Sequence, residues 1–496
     1  MKKLTKIVSL ILAALFTVAV FAACADKGGE ETGTIAEAVA TTDPVEVTTE
    51  SPYDDKGLLK DSIPEDLKLD RTITLLYWSD REHEEFIAEA QNGEMVNDAI
   101  FTRNTRVEER LGITFNYKTT EGNATAAHIS NFVDTVRQGI KSGSMPYDMV
   151  AAHSFTIGSC AVNGLLSDIR NAEYLDFSKP WWPDSLIEDA TIKGKLFFAS
   201  GDISANTLYM MYVTFFNKSL IDNLGLELPF DLVDRNEWTI DKMFEMCNDT
   251  YVDTDTNGNA SIGDFYGQYA YTLHLDVFFT GAGIKILDVS NDTIKISDDF
   301  IGTKAVDIAD KVTNFFHNNS KAYLLTENSD VSQWFAKELS IFWNDRCRNA
   351  TKFKENEVAF GVVPNPKYDK NQDEYYTVLG NPFSLYAIPN DCTEVDLVSA
   401  VMECYASESY RNVSPALYDT TIKYRYTDDA ISSAMFDTIR ESVIFDLGRI
   451  FASALGSPYG LYENCIKNKT SWAVSATGQM KQVWPKAIKE ILSAFN

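Results

Sequence analysis

The sequence predicts an α/β protein with more than one domain, and two observations support this prediction. The chain has 496 residues, of which 45% are apolar and 12% aromatic, and this is enough to build more than one hydrophobic core. From residue 72 onward, short apolar strands alternate with segments that have helical spacing. This alternation is typical of a largely parallel sheet with helices on both faces.

The charge balance excludes one class of partner. The chain has 44 Lys and Arg against 72 Asp and Glu, which gives a formal net charge of -28 at pH 7. Such a chain repels phosphate backbones and anionic lipid headgroups. We therefore expect no nucleic-acid partner.

Residues 1–23 are predicted to be a lipoprotein signal peptide. A basic end is followed by an uncharged apolar run over residues 7–21, which is shorter than the ~20 residues of a membrane span. The sequence Phe21-Ala22-Ala23-Cys24 resembles the bacterial lipobox, in which the cysteine carries the lipid. We expect an exported protein anchored through Cys24 at the outer face of the cytoplasmic membrane. The alternative is an ordinary signal peptide with an incidental cysteine.

The next segment, residues 24–61, is predicted to be a flexible acidic tether. It is rich in Thr, Gly, Glu and Asp and has one aromatic residue, Tyr53, so it cannot bury enough surface to fold. Six further cysteines follow, and their spacing matches neither a CxxC pair nor a zinc site. We expect these six to be mostly buried free thiols.

The alternation that predicts the α/β class can be followed along the chain. The first strand is predicted at residues 72–78 and is followed by a helix at 97–111, a strand at 113–117, a helix at 129–142 ending near Gly143, and a buried strand at 147–152. The same alternation of strands and helices continues in the segments 208–217, 239–250, 305–318, 338–343 and 358–363.

One loop has the spacing of a calcium site. The pattern D-x-D-x-N-G-x-x-S-x-x-D places oxygen donors at loop positions 1, 3, 5, 9 and 12, with glycine at position 6 for the turn and a backbone donor at position 7. Aspartate at position 12 shortens the bidentate arm and predicts weak binding. A structural Ca²⁺ ion is therefore possible, although such loops can also be solvated turns. The candidate ligands are Asp253, Asp255, Asn257, Asn259, Ser261 and Asp264.

Motifs of enzymes are missing from the sequence. It contains no HExxH, GxSxG, P-loop or complete GxGxxG motif, and its five histidines have no metal-ligand spacing. We expect no enzymatic activity and no required cofactor.

An ordered series of short segments, which covers about residues 72–406, carries a family resemblance. It consists of Tyr147-Asp148-Met149-Val150, Gly164-Leu165-Leu166-Ser167-Asp168-Ile169, Gly194-Lys195-Leu196-Phe197-Phe198-Ala199, Phe216-Asn217-Lys218-Ser219-Leu220, Trp238-Thr239-Ile240-Asp241-Lys242-Met243, Phe360-Gly361-Val362-Val363-Pro364 and Tyr386-Ala387-Ile388-Pro389-Asn390. The series resembles the extracellular solute-binding proteins of ABC importers, specifically the large carbohydrate-binding type (family 1).

This resemblance implies a two-lobed, periplasmic-binding-protein-like (type II) fold with the ligand cleft between the lobes. By order along the chain, lobe 1 would comprise residues 62–200 and 372–412, and lobe 2 residues 201–371 and 413–496. The implied function is capture of a carbohydrate, an oligosaccharide, and its delivery to an ABC permease in the membrane. A monomer is expected.

The ligand contacts are expected at strand ends that face the cleft, because sugars need flat aromatic faces together with carboxylates or amides. The candidates are Trp78, Asp80, His153, Asp202, Trp343, Asn344, Asp345, Tyr376 and Asn381. Core positions for the two tryptophans, and capping roles for His153 and Asp202, remain open alternatives. Two other functions also remain open, namely a secreted glycoside hydrolase, which needs a carboxylate pair, and a binding protein for a peptide or another polar solute.

Overall fold

A computed structural model describes residues 51–54, 57–290, 293–318, 320–325, 330–354, 358–418 and 430–496. Residues Tyr53–Asn496 form a compact unit, and the buried apolar side chains run from Ile63 to Phe495 within it. The predicted signal peptide, Cys24 and residues 25–50 of the predicted tether lie outside the described residues. The Tyr53–Asn496 unit therefore contains the hydrophobic core of the described chain.

The bounds of the strands follow the chain. They are β1 (Arg71–Trp78), β2 (Ile113–Thr120), β3 (Met149–His153), β4 (Tyr212–Asn217), β5 (Tyr266–Tyr271), β6 (Leu287–Ser290), β7 (Thr293–Ile296), β8 (Ala322–Leu325), β9 (Ser340–Arg346), β10 (Phe360–Val363), β11 (Thr377–Val378), β12 (Ser384–Ala387) and β13 (Val443–Ile444).

The α-helices surround these strands. They are α1 (Met95–Leu111), α2 (Ala126–Ser142), α3 (Ser154–Val162), α4 (Asp184–Ala190), α5 (Asn206–Tyr209), α6 (Lys218–Asn223), α7 (Pro229–Asp234), α8 (Ile240–Met246), α9 (Asp276–Gly281), α10 (Asp298–Ile301), α11 (Thr303–His317), α12 (Ser332–Ala336), α13 (Thr351–Lys354), α14 (Val395–Glu408), α15 (Ser414–Leu417), α16 (Ala430–Glu441), α17 (Leu447–Ile450), α18 (Ala452–Leu455), α19 (Pro458–Asn468), α20 (Trp472–Gln482) and α21 (Trp484–Ala494).

The first sheet has the strand order β12-β3-β1-β2. β1 is parallel to both of its neighbours, so that Leu75 lies opposite Tyr117 of β2 and Met149 of β3, whereas β12 is antiparallel to β3. Parallel strands covered on both faces need apolar side chains in both directions, and the second half of β1 is buried at every position. This sheet forms the centre of lobe 1.

The second sheet has the order β10-β4-β9-β5-β8 and is mixed. β4 runs antiparallel to β9 and β10, while β5 is parallel to β8 and β9. Every residue of β4 and β10 is buried, so this sheet is also covered on both faces. It forms the centre of lobe 2. The two sheets confirm the predicted α/β class, although half of the strand pairs in this second sheet are antiparallel, where a largely parallel sheet was predicted.

The hinge between the lobes consists of three chain segments that lie side by side. Met211 forms a bridge with Leu379, and the backbone N–H of Gly380 donates to the carbonyl of Met210 at 2.8 Å. β11 pairs in parallel with β13, which brings in the third segment. Strand-like pairing of all three crossings gives the lobes a common hinge. The exact lobe boundaries given above stay predictions.

Helix ends agree with the local sequence signals where glycine stands at the end. α1 ends at Gly112 and α2 at Gly143, both with left-handed backbone (φ 63° and 66°), which suits a residue without Cβ. The predicted helix at 239–250 is shorter in the structure. It is α8, which starts after Thr239, whose side chain accepts from Lys242 N, and ends at Met246.

Two further contacts locate the ends of the Tyr53–Asn496 unit. Asp61, at the end of the predicted tether, is largely buried, and it accepts from Arg411 at 3.4 Å. At the other end, α18 and α21 pack against α3 of lobe 1, whereas α19 and α20 pack against α11 of lobe 2. The C-terminal helices therefore contact both lobes, whereas the predicted boundaries assign them to lobe 2 alone.

The cysteines agree with the prediction. Cys160, Cys247, Cys347, Cys392, Cys404 and Cys465 are all buried free thiols. Among the residues that the structure describes, no helix combines the length and apolarity needed to cross a bilayer.

Candidate ligand cleft between the two lobes

The cleft lies where the carboxyl ends of strands from the two sheets meet, which is the usual ligand position in open α/β sheets. On lobe 1, β1 leads into residues 79–84 and β3 ends at His153. On lobe 2 the ends of β5 and β9 lead into residues 272–274 and 347–350. Contact between the lobes is direct here, since Arg348 donates to Glu84 at 3.1 and 3.3 Å.

The lobe 2 side of the cleft contains a polar pocket of about 210 Å³. Tyrosine rings and one exposed leucine, Leu273, lie among amide, carboxylate and cationic groups, and this combination suits a ring with an apolar face and hydroxyls at its edge. We call it the lobe 2 pocket. Its lining residues are Tyr212, Tyr271, Leu273, His274, Asp330, Val331, Asp345, Arg346, Asn349 and Lys352.

Asp345 is the predicted ligand residue that lies in this pocket. Its carboxylate is buried, lies 3.4 Å from Nε2 of His274 and accepts from the backbone N–H of Arg346 at 2.6 Å. Burial alone would raise the pKa of Asp345, but His274 and Arg346 outweigh it and bring the pKa to about 2. Asp345 is therefore a fixed anionic acceptor at neutral pH.

A buried ionic cluster links the lobes at the base of the cleft. Arg449 donates to Asp276 at 2.6 Å and to Oδ1 of Asn381 at 3.0 Å, and its guanidinium lies 4.6 Å from the ring centre of Tyr459. Burial raises the pKa of Glu463 well above its ordinary value, and the neighbouring Asp276 raises it further. Glu463 thus lies in a buried, acidic environment beside Asp276 and Arg449. We call these residues the Arg449 cluster.

Asn381 and Tyr376, two of the predicted ligand residues, border the hinge. The carbonyl of Asn381 accepts from Oγ of Ser154 at 2.8 Å, so this residue joins lobe 1 to the Arg449 cluster. Tyr376 is half-buried and packs on Gly283, where a Cβ would lie only 2.7 Å from its ring. Asn381 and Asp345 are thus near the same cleft, whereas Tyr376 supports the hinge.

On the lobe 1 side, Trp78 and His153 are buried and pack edge to face at 5.5 Å between ring centres. The indole N–H of Trp78 donates to Ser384 at 2.9 Å, and Nδ1 of His153 accepts from the backbone N–H of Phe155, which caps α3. Burial, with a smaller contribution from Arg81, lowers the pKa of His153 to about 3, so the ring is neutral. His153 therefore caps a helix in this structure, which is the alternative role considered for it in place of ligand binding.

Asp80 is exposed beside them and accepts from Asn123 at 3.0 Å. It is the predicted lobe 1 residue whose carboxylate is open to a ligand.

Trp343 and Asn344 lie inside lobe 2, away from the cleft surface. The Trp343 ring is fully buried and stacks on Phe215 at 5.0 Å. The amide of Asn344 accepts from Gln268 at 2.5 Å and donates to Thr214 at 2.7 Å, so both of its polar atoms are used within the sheet. Trp343 is therefore a core residue, which is the alternative considered for it, because β9 is covered on both faces.

Asp202 lies at a different place, in a cavity of about 170 Å³ beside the hinge that Trp181 and Met211 also line. Its carboxylate accepts from Ser414 and from Arg440, the latter at 3.3 Å. Burial raises the pKa of Asp202, and Arg440 opposes this. The structure therefore does not bring Asp202 together with Asp345.

Apart from Asn381, the residues of the Arg449 cluster were not identified from the sequence, nor were Tyr271, His274 and Arg346. One signal for Arg449 is present in the sequence. It is a single arginine within the apolar stretch at residues 443–455, and a buried arginine needs a partner. The other residues carry no local signal, because only the sheet topology brings them to one edge.

The candidate calcium loop follows α8. The carboxylates of Asp253, Asp255 and Asp264 offer oxygens within 4.8 Å of one another, and Oδ1 of Asp253 is a buried atom without a hydrogen-bond donor. Gly258 has φ 80° at loop position 6, and its N–H donates to Asp253 at 2.8 Å. These residues fit a hard cation that takes oxygen ligands.

The remaining candidate ligands lie on the same turn. Asn257 accepts from the N–H of Asn259 at 2.7 Å, and the N–H of Ser261 donates to Asp264 at 2.9 Å. Burial acts to raise the pKa of Asp264, but donors led by Ser261 and Thr254 hold it below its ordinary value. Asp264 is therefore an anion at neutral pH.

Two α/β lobes with a polar and aromatic cleft between them are the architecture of the solute-binding proteins of ABC importers. Comparison with solved structures confirms this resemblance at the level of the fold. Neither a scan of protein-family models nor a search of curated proteins found a match.

Three solved structures illustrate the likeness. The maltose-binding periplasmic protein MalE from Listeria monocytogenes, in complex with maltose, has a TM-score of 0.52 at 12% identity, covering 85% of this chain and 98% of that one. The galacto-N-biose/lacto-N-biose I-binding protein from Bifidobacterium longum, in complex with lacto-N-biose, has a TM-score of 0.51 at 13% identity, covering 85% of this chain and 96% of that one. UgpB from Mycobacterium tuberculosis, in complex with glycerophosphocholine, has a TM-score of 0.54 at 13% identity, covering 84% of this chain and 98% of that one.

Proposed function

We propose that this protein is an exported solute-binding protein that captures a carbohydrate and presents it to an ABC permease. The observation that carries the proposal is the lobe 2 pocket, where tyrosine rings and the anionic Asp345 face a cleft between two hinged lobes. Several neighbours in fold are sugar-binding proteins by their own descriptions. Binding and closure are the whole mechanism, with no bond made or broken.

The hydrolase alternative needs two carboxylates about 5 to 9.5 Å apart, one of them a proton donor. The cleft does contain an acid whose pKa is raised by burial, Glu463, but the neighbouring carboxylate of Asp276 is paired with Arg449. The burial of both acids and the pairing of Asp276 with Arg449 indicate a structural role.

The test is a thermal-shift panel on the Tyr53–Asn496 unit with maltotetraose, lacto-N-biose, glycerophosphocholine and a tripeptide, followed by product analysis. We expect a rise in Tm with one of the oligosaccharides and no product, because bound ligand stabilises the folded state by mass action. A shift only with the tripeptide or with glycerophosphocholine would redirect the proposal to another solute. Release of shorter sugars would favour the hydrolase.

Tyr271→Ala should weaken binding of the responding oligosaccharide about tenfold, because the ring offers stacking area to a sugar. Isothermal titration measures the effect. Tyr174→Ala is the matched control, since Tyr174 is also half-buried but lies on lobe 1 outside the pocket. Equal affinities for the two variants would remove Tyr271 from the site.

We further propose that Cys24 carries a lipid that anchors the mature protein outside the cell, as the lipobox-like sequence at residues 21–24 indicates. In the native host, Cys24→Ser should move the protein from the membrane fraction to the medium. Cys392→Ser, which changes a buried thiol, should leave it in the membrane fraction. Retention of the Cys24 variant in membranes would contradict the anchor.

The loop at residues 253–264 is proposed to bind Ca²⁺, which would stiffen lobe 2 by neutralising three carboxylates. We expect calorimetric heat with a Kd of about 10⁻⁵ to 10⁻³ M, since position 12 is aspartate. Asp253→Asn should abolish the heat, whereas Asp231→Asn, an exposed acid elsewhere in the lobe, should preserve it. No heat at millimolar Ca²⁺ would exclude the site.

A further inference from the structure

Arg346, at the end of β9, is a cation of the lobe 2 pocket whose hydrogen-bonding capacity is only partly used. Its backbone N–H and its Nε both donate to Oδ1 of Asp345, at 2.6 and 3.2 Å. No acceptor among the residues that the structure describes takes the two terminal guanidinium nitrogens, and the side chain is 30% exposed. These nitrogens present a pair of N–H groups to the pocket, which is the arrangement that binds a carboxylate through two hydrogen bonds.

Tyr212 stands beside this pair of donors. It lies directly opposite Arg346 in the antiparallel pairing of β4 with β9, so the two side chains are neighbours on one face of the sheet. A Cβ on Gly380 of the hinge would lie 3.1 Å from the Tyr212 ring and 3.2 Å from Cδ of Arg346. Both side chains therefore rest against the same hinge residue, which fixes their positions relative to each other.

The phenol of Tyr212 supplies a further donor. Tyr212 is only 5% exposed and lines the lobe 2 pocket, yet within the described part of the chain its hydroxyl has no hydrogen-bond partner. Burial raises the pKa of Tyr212, although Arg346 opposes this, so the hydroxyl keeps its proton at neutral pH. Three N–H and O–H donors without acceptors therefore meet at this corner of the pocket.

The charges of the pocket walls are compatible with an anion. Asp330 pairs with Lys352 at 2.9 Å, and Asp345 is offset by Arg346. Two acids are thus matched by two cations in the pocket, although the whole chain has a net charge of -28. A single carboxylate suits the single guanidinium, whereas a phosphate monoester would bring up to two negative charges.

We propose that the solute of the lobe 2 pocket is an acidic carbohydrate, an oligosaccharide containing a uronic acid whose carboxylate is bound by Arg346 and Tyr212. This inference rests on the proposed function and adds the class of sugar. Oδ2 of Asp345, which Arg346 does not use, is the acceptor for a hydroxyl of the same sugar. A neutral sugar would leave the guanidinium without an anionic partner.

The test is isothermal titration of the Tyr53–Asn496 unit with two matched pairs of sugars, trigalacturonate with its methyl ester and cellobiouronic acid with cellobiose. The members of each pair differ only at the carboxyl group. In at least one pair the acid should bind about 10- to 100-fold more tightly, as expected for charge-assisted hydrogen bonds. Arg346→Gln should remove this preference, and Tyr212→Phe should reduce it about threefold or more.

Arg137→Gln is the matched control. Arg137 is 31% exposed and pairs with Asp134 within α2 of lobe 1, outside the pocket, so this variant should keep the preference for the acid. Circular dichroism checks that each variant is folded, and Tyr212→Phe tests the same corner of the pocket without changing a charge.

Equal or tighter binding of the neutral sugar in both pairs would overturn the acidic class and leave the proposed function standing. A response to maltotetraose or lacto-N-biose without binding of either acid would have the same meaning. An unchanged preference in Arg346→Gln would remove Arg346 from recognition and overturn the inference. Failure of every sugar, neutral or acidic, would overturn the proposed function as well.

Discussion

Arg449→Leu is expected to lower the free energy of unfolding by about 3 to 5 kcal/mol, because it leaves the buried carboxylate of Asp276 without its cation. The same change removes the donor to Asn381, which connects lobe 1 to the cluster. Urea denaturation of the Tyr53–Asn496 unit measures the loss.

Arg235→Leu is the control for this prediction. Arg235 pairs with Glu237 at 3.2 Å but is exposed, so its loss should lower the free energy of unfolding far less. Adding Asp276→Asn to Arg449→Leu should recover part of the stability, since the uncompensated charge is removed. A loss below about 1 kcal/mol for Arg449→Leu would show that the cluster is unimportant for folding.

Glu403→Gln is expected to remove a pH dependence of stability between about pH 5 and pH 8. Glu403 is buried and accepts from the indole N–H groups of Trp181 and Trp182 at 3.1 and 2.8 Å. Burial raises its pKa to about 8, although the two indoles oppose this.

Proton binding by Glu403 determines the direction of this pH dependence. The folded state holds the proton of Glu403 up to about pH 8, whereas the unfolded chain loses it near its ordinary pKa of about 4.3. Stability from this group is therefore full below the unfolded pKa and is lost as pH rises to about 8, by about 3 to 5 kcal/mol.

Denaturation of the wild type and of Glu403→Gln from pH 5 to pH 8 measures the difference in slope. Glu188→Gln, at an exposed glutamate of α4, should keep the wild-type slope. Parallel curves for the wild type and Glu403→Gln would mean that the carboxyl group is ionised throughout.

The strands of lobe 1 could be predicted because their apolar runs are short, continuous and separated by clear helices. β1 starts one residue before its predicted position, α1 ends at the predicted Leu111, and α2 ends just before the predicted Gly143. β5 and β8 of lobe 2 were not predicted. β5 contains three tyrosines and one glycine, and β8 has only four residues. Neither segment therefore shows the pattern of apolar residues that predicts a strand.

The candidate site was predicted less well than the fold. Asp345 and Asn381 reach the cleft, and Asp80 is open at its edge, because strand ends of parallel sheets lie at one side. Trp343 also lies near the end of a strand, but its side chain is buried in the core. In a strand covered on both faces, the alternation of polar and apolar residues that shows which side faces out is missing.

The sequence by itself determined the α/β class, the excess of acid, the oxygen-rich loop at residues 253–264 and the absence of enzyme motifs. These features depend on composition and on neighbours in the chain. Only the tertiary structure decided that Arg449, Asp276 and Asn381 meet, and that Glu84 of lobe 1 reaches Arg348 of lobe 2. Such contacts join residues between 68 and 264 positions apart, and strand order and hinge pairing bring them together, which no local pattern encodes.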